Sequence, residues 1–164
     1  MISKIPNNDD LIDEECSRYK EDLMVQNAIA ALERRMFKGG EKLSHPKDVE
    51  NYLRLQLAGQ TREVLSCIYL DSTHQVLAYE PLFYGTIDTT SVHPRVILQR
   101  ALEHHCAAVI MAHNHPSGDI NPSGSDLKLT KLVRDLLLKI DVRLLDHFII
   151  GKGEPYSFAA AGCI

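Results

Sequence analysis

The chain has 164 residues, 45% hydrophobic and 24% charged, the size and balance of one water-soluble globular domain. No apolar run is long enough to cross a bilayer. A formal net charge of −4 lacks the basic surplus from which a non-specific nucleic-acid binder draws its affinity.

In chain order, residues 1–15 are polar and acidic, expected to be poorly ordered, and carry no apolar signal-peptide segment. The chain is therefore expected to be cytoplasmic. Over 21–36, Val25, Ala28, Ile29, Leu32 and Met36 recur at helical spacing, and Lys38-Gly39-Gly40 ends that helix. Ser44-His45-Pro46 opens a second helix, with Val49, Tyr52, Leu53 and Leu57 as its apolar stripe and Gly59 as its stop. The period then changes. VLSCIYL (64–70) reads as a buried strand, Asp71-Ser72-Thr73 as a turn, 75–83 as a second strand and 86–92 as a third. Pro94 starts a helix reaching His104, and AAVIMA (107–112) is a buried strand. A helix is expected over 125–140, a strand over 142–150 and a short last strand over 156–160. Two helices followed by β-β-β-α-β-loop-α-β imply an α/β or α+β domain with a mixed sheet and helices on its faces.

Cys16, Cys67, Cys106 and Cys163 form no C-x-x-C pair, so neither a zinc ribbon nor a redox motif is suggested. Cys67 and Cys106 lie in apolar surroundings and are expected to be buried thiols, a usage suited to a reducing compartment.

The stretch with chemical content is HNHPSGDINPSGSD, residues 113–126. Strand side chains alternate, so His113 and His115 project to one side with Cα atoms roughly 6.5 to 7 Å apart, able to converge on one cation. Pro116 and Gly118 turn the chain, and Asp126 returns in the first turn of the next helix, where the helix dipole favours a carboxylate. Two histidines and one aspartate make a three-ligand set of the kind that leaves zinc an open position. Ser123-x-x-Asp126 also has the form of a capping box. Among the other polar residues, His147 reads as a satisfied core group or a support to a ligand, His104-His105 as partners of terminal carbonyls and His93-Pro94 as a helix start. Gly151-Lys152-Gly153 reads as a turn, since no phosphate-loop pattern surrounds it, and the H-E-x-x-H and deaminase signatures are absent.

His113-x-His115, seven residues, Ser123, two residues and Asp126 resemble the JAMM motif of the MPN/JAB metalloproteases. EPLFYGTIDTTSVHPR, AAVIMAHNHPSGD and LLDHFIIG are similar to the RadC family, named as DNA-repair proteins. The resemblance runs from about Ser44 to the C-terminus, dividing the chain into an acidic tail and helix (1–43) and a RadC-like MPN/JAMM domain (44–164). It implies a cytidine-deaminase-like α/β fold and one Zn(2+) per chain, held by His113, His115, Asp126 and a water. It also implies Ser123 as oxyanion donor, a glutamate at the first sheet strand acting on the water, and a peptide or isopeptide bond as substrate. Glu63 in TREVLSCIYLD holds that glutamate position, with Glu80 in AYEPLF as rival. The short form resembles RadC-like proteins of prophages and mobile elements. The longer relatives' helix-hairpin-helix part has no counterpart in the forty or so residues before Ser44. A DNA-repair or mobile-element accessory role, binding DNA or a protein partner, is the alternative, and the net charge disfavours DNA.

Overall fold

The computed structural model describes residues 8–37, 46–85 and 92–164. These form helices α1 (Asn8–Met36), α2 (Pro46–Leu57), α3 (Pro94–Glu103) and α4 (Gly124–Leu138), and strands β1 (Val64–Leu70), β2 (Val76–Tyr84), β3 (Ala108–Asn114), β4 (Arg143–Ile150) and β5 (Tyr156–Ser157). One mixed sheet has the order β2-β1-β3-β4-β5. β1 is antiparallel to both β2 and β3, β3 is parallel to β4, and β5 closes the far edge antiparallel to β4. This is the mixed α+β architecture that the sequence implied.

All seven residues of β1 and all seven of β3 are buried. Alternation is lost because both faces of the sheet are covered. Val64, Ile68, Leu70, Ala108, Ile110 and Ala112 face a core shared with Val49, Tyr52, Leu53 and Leu57 of α2 and Met36 of α1. Leu65, Cys67, Tyr69, Val109 and Met111 face the opposite core, built with Ile97 and Ala101 of α3 and Val133 and Leu137 of α4. Cys67 and Cys106 are buried free thiols, as their surroundings suggested. Among the described residues, no helix is long and apolar enough to cross a membrane.

Some expectations differ from the structure, and others lie outside the described residues. α1 starts at Asn8, not near residue 21. Residues 15–27 are exposed, Val25 included, and only from Ala28 does the helix begin to bury a face. The third strand expected over 86–92 falls outside the described residues except for Val92, which lies just ahead of α3 in no regular element, and so does the stop at Lys38-Gly39-Gly40. His104 does not turn its ring to helix carbonyls. Its backbone N–H caps α3, while its Nε2 lies 2.9 Å from Glu80 Oε1.

Candidate metal centre

The site forms where the ends of three elements meet. β3 ends at Asn114, between the two histidines, α4 begins ten residues further on, and β1, running antiparallel to β3, begins at the same end of the sheet. Leu65 pairs with His113, so extending this register by two residues sets Glu63 opposite His115. Odd-numbered positions of β3 face α4, which directs His113 towards the first turn of that helix.

His113 and His115 approach with Nε2 atoms 2.9 Å apart. Asp126 Oδ1 lies 3.4 Å from His113 Nε2, and Asp126 Oδ2 lies 3.7 Å from His115 Nε2. A carboxylate oxygen of Glu63 and one nitrogen of each histidine also all fall within 4.8 Å of one another. The structure thus brings together both histidines, Asp126 and Glu63. Glu80 is elsewhere, on β2, where Arg100 Nε donates to its Oε2 at 2.7 Å and His104 flanks its Oε1. The Arg100 guanidinium holds the Glu80 carboxyl below the usual carboxylate range.

Asp126 divides its oxygens between two tasks. Oδ2 accepts from the Ser123 backbone N–H at 2.7 Å and from Ser123 Oγ at 2.6 Å, while the Asp126 N–H donates back to Ser123 Oγ at 3.2 Å. This is a full capping box at the start of α4. It leaves Oδ1 turned towards His113. The capping and ligand readings of Asp126 are therefore compatible, one per oxygen. Ser123 sits beside the site with its hydroxyl proton directed at Asp126.

His115 is oriented from behind. Its Nδ1 lies 2.8 Å from the Asp119 backbone oxygen. A carbonyl only accepts, so Nδ1 carries the proton and the Nε2 of a neutral ring is bare. The loop supplying that carbonyl is pinned: Lys152 N–H donates to Gly118 O at 2.9 Å, and a Cβ on Gly151 would stand 2.6 Å from the same oxygen. Gly118 has φ +85°, the left-handed region that glycine adopts without penalty.

Asn114, between the histidines, went unnoticed in the sequence. It points to the opposite face and is buried. Its Oδ1 accepts from Val64 N–H at 2.8 Å, and its Nδ2 donates to Arg62 O at 3.0 Å and Gln60 O at 3.4 Å. Both neighbours of Glu63 are thereby tied to the histidine strand. The signal was available, since a polar residue alternating with two histidines at the end of a buried strand needs partners.

The donor set suits a cation that accepts mixed nitrogen and oxygen ligands. Donors bound tetrahedrally at 2.0–2.1 Å stand about 3.3 Å apart, close to the 2.9 Å between the two Nε2 atoms and the 3.4 Å from Asp126 Oδ1 to His113 Nε2.

Burial holds His113 down at about 4, against a raising pull from Asp126, and burial pushes His147 well below its ordinary value. Between pH 6.5 and 4 the unfolded chain therefore binds protons that the folded one refuses. Stability is complete above the unfolded value and falls as the solution is acidified. With metal chelated, moving from pH 7.5 to 5 is expected to cost about 2 kcal/mol through His113 alone. Urea unfolding at the two pH values measures this, and an unchanged free energy would show that these imidazoles titrate normally.

The comparisons agree with the motif. The family model described as RadC-like JAB domain matches residues 43–163, most of the chain. The chain belongs to the RadC-like JAB domain family. Among curated proteins, it is 52% identical over 120 residues to a UPF0758 protein of Pseudomonas fluorescens, covering 73% of this chain and 54% of that one. It is 50% identical over 127 residues to a UPF0758 protein of Nitrosococcus oceani, covering 77% and 57%. A UPF0758 protein of Xanthomonas euvesicatoria is 46% identical over 141 residues, covering 86% and 60%. The match spans only a little over half the length of these relatives.

Proposed function

We propose that the chain is a zinc-dependent hydrolase of the JAMM type, cleaving a peptide or isopeptide bond. The observation that carries this reading is the meeting of two imidazole Nε2 atoms 2.9 Å apart with the carboxylates of Glu63 and Asp126 close by. In this reading His113, His115 and Asp126 hold the ion, three protein donors that leave a position open. Bound there, zinc would supply a water acidic enough to attack near neutral pH and a Lewis acid for the scissile carbonyl. Glu63 takes the proton of the attacking water on its carboxylate and returns it to the leaving amine nitrogen. Asn114 keeps that carboxylate in reach by holding the backbone on either side of it. Ser123 donates its hydroxyl to the developing oxyanion, which requires the proton to turn away from Asp126 Oδ2. Glu80 takes no part, its oxygens being occupied by Arg100 and His104.

Residues 44–164 are the working unit, preceded by the acidic tail and helix, and the substrate is a peptide or protein. Four free cysteines accord with the reducing cytoplasm. The charge balance argues against DNA as the principal partner. Purified protein dialysed against zinc is expected to retain about one ion per chain, and Asp126→Asn to retain less. Elemental analysis decides this, and a wild-type protein that stays metal-free when offered zinc would end the proposal.

A further inference from the structure

Behind His113, on the side away from the other ligands, a chain of buried polar groups leads into the core. His113 Nδ1 lies 2.8 Å from His147 Nε2, His147 Nδ1 lies 2.7 Å from Thr130 Oγ1, and Thr130 Oγ1 lies 2.6 Å from the backbone oxygen of Asp126. His113, Thr130 and His147 are 1% exposed or less. The proposed chemistry uses neither Thr130 nor His147.

The direction of every proton in this chain follows from its far end. A carbonyl has no proton, so the single hydroxyl proton of Thr130 must lie between Oγ1 and Asp126 O. Thr130 can then only accept from His147, and His147 carries its proton on Nδ1. The Nε2 of neutral His147 is an acceptor, and the proton in the next link belongs to His113 Nδ1. His113 is thus left with a bare Nε2, the nitrogen that faces His115 and Asp126. Phe158 stacks on the His147 ring at 4.8 Å with planes 16° apart and fixes its plane. The relay also closes on itself, because Asp126, whose carboxylate faces His113, owns the carbonyl at its end.

We infer that Thr130 and His147 are positioning residues that set the tautomer of His113 and thereby the metal affinity of the site. The inference rests on the metal-site reading above. Thr130 sits one turn after Asp126 on α4, so a single helix turn supplies one candidate ligand and governs the protonation of another. Groups behind a ligating imidazole typically change metal affinity 10–100-fold when removed.

Thr130→Val keeps the branched shape but removes the acceptor of His147 Nδ1–H. The His147 proton is then free to move to Nε2, where it opposes His113 Nδ1–H and drives His113 towards the Nε2–H form, which cannot ligate. Zinc affinity measured by chelator competition is expected to fall about 10–100-fold in Thr130→Val. The visible spectrum of the cobalt-substituted protein is expected to change with it. Thr130→Ser, which restores the hydroxyl, is expected to recover both. Wild-type affinity in Thr130→Val, or an equal loss in Thr130→Ser, overturns the inference. Nitrogen-15 NMR of the metal-free wild-type protein reads the tautomers directly and depends neither on the variants folding nor on zinc binding. Nδ1–H with bare Nε2 on both His113 and His147 is expected, and Nε2–H on His113 overturns the inference. A wild-type protein with these tautomers but no zinc uptake would end the metal-site reading while leaving the relay standing.

Discussion

Glu63→Gln is expected to keep fold and zinc while losing roughly 10²–10⁴ of peptide-bond hydrolysis, the contribution of a general base. Glutamine preserves the size of the side chain and most of its hydrogen bonding, but its amide does not accept the proton of an attacking water. The backbone at Glu63 is held by the strand that follows it, by Asn114 on its neighbours, and by Gly85 N–H donating to the Glu63 carbonyl at 2.8 Å. The substitution should therefore change chemistry without moving the chain. Three measurements on one sample are needed: zinc content, thermal melting and turnover. Loss of zinc would make Glu63 a ligand, consistent with its distances to both histidines. Full activity with zinc bound would remove it from the mechanism. Glu80→Gln is the control. It breaks the contacts with Arg100 and His104, a change to a partly exposed ion pair, and should leave turnover nearly intact.

Ser123→Ala is expected to lower turnover by about 10² with zinc retained, the usual result of losing one oxyanion donor. The same change removes an N-cap, at a cost of about 1 kcal/mol. Both effects are expected together, because Ser123 Oγ accepts from Asp126 N–H in the folded protein whichever way its own proton points. Ser123→Asp separates them. Aspartate caps a helix as well as serine does but brings a negative charge beside the carboxylate of Asp126 and offers no proton to an oxyanion. Recovered melting without recovered turnover would support the catalytic role. Near-wild-type turnover in Ser123→Ala would reduce Ser123 to a helix cap.

The extent of what the sequence disclosed follows from the physics of each feature. β1 and β3 were legible because fully buried strands read as unbroken apolar runs. The His-x-His pair was legible because a two-residue period at a strand end leaves both rings on one side. The start of α1 was missed because residues 15–27 bury nothing, so no apolar period marks them. Choosing between Glu63 and Glu80 as the nearer carboxylate needed strand order. Only with β1 beside β3 does Glu63 meet the histidines, whereas Glu80 belongs to the strand on the outer side of β1. His147 was read as core or support, and its partners show why both descriptions hold. The Asn114 clamp depends on backbone atoms 50 and more positions away, which local pattern does not display.

The Asn114 clamp and the close approach of Gly118 to Gly151 bear on how the site acquires its order. Holding one residue's backbone in a single conformation costs about 1–2 kcal/mol of conformational entropy. Here Asn114 bonds both neighbours of Glu63, and Gly118 O accepts from Lys152 N–H, all within the protein itself. That cost is met when the sheet assembles and would not be left for an ion to meet. Whatever affinity the site has for a metal is spent on coordination rather than on folding a loop, in contrast to small domains whose structure exists only around their zinc.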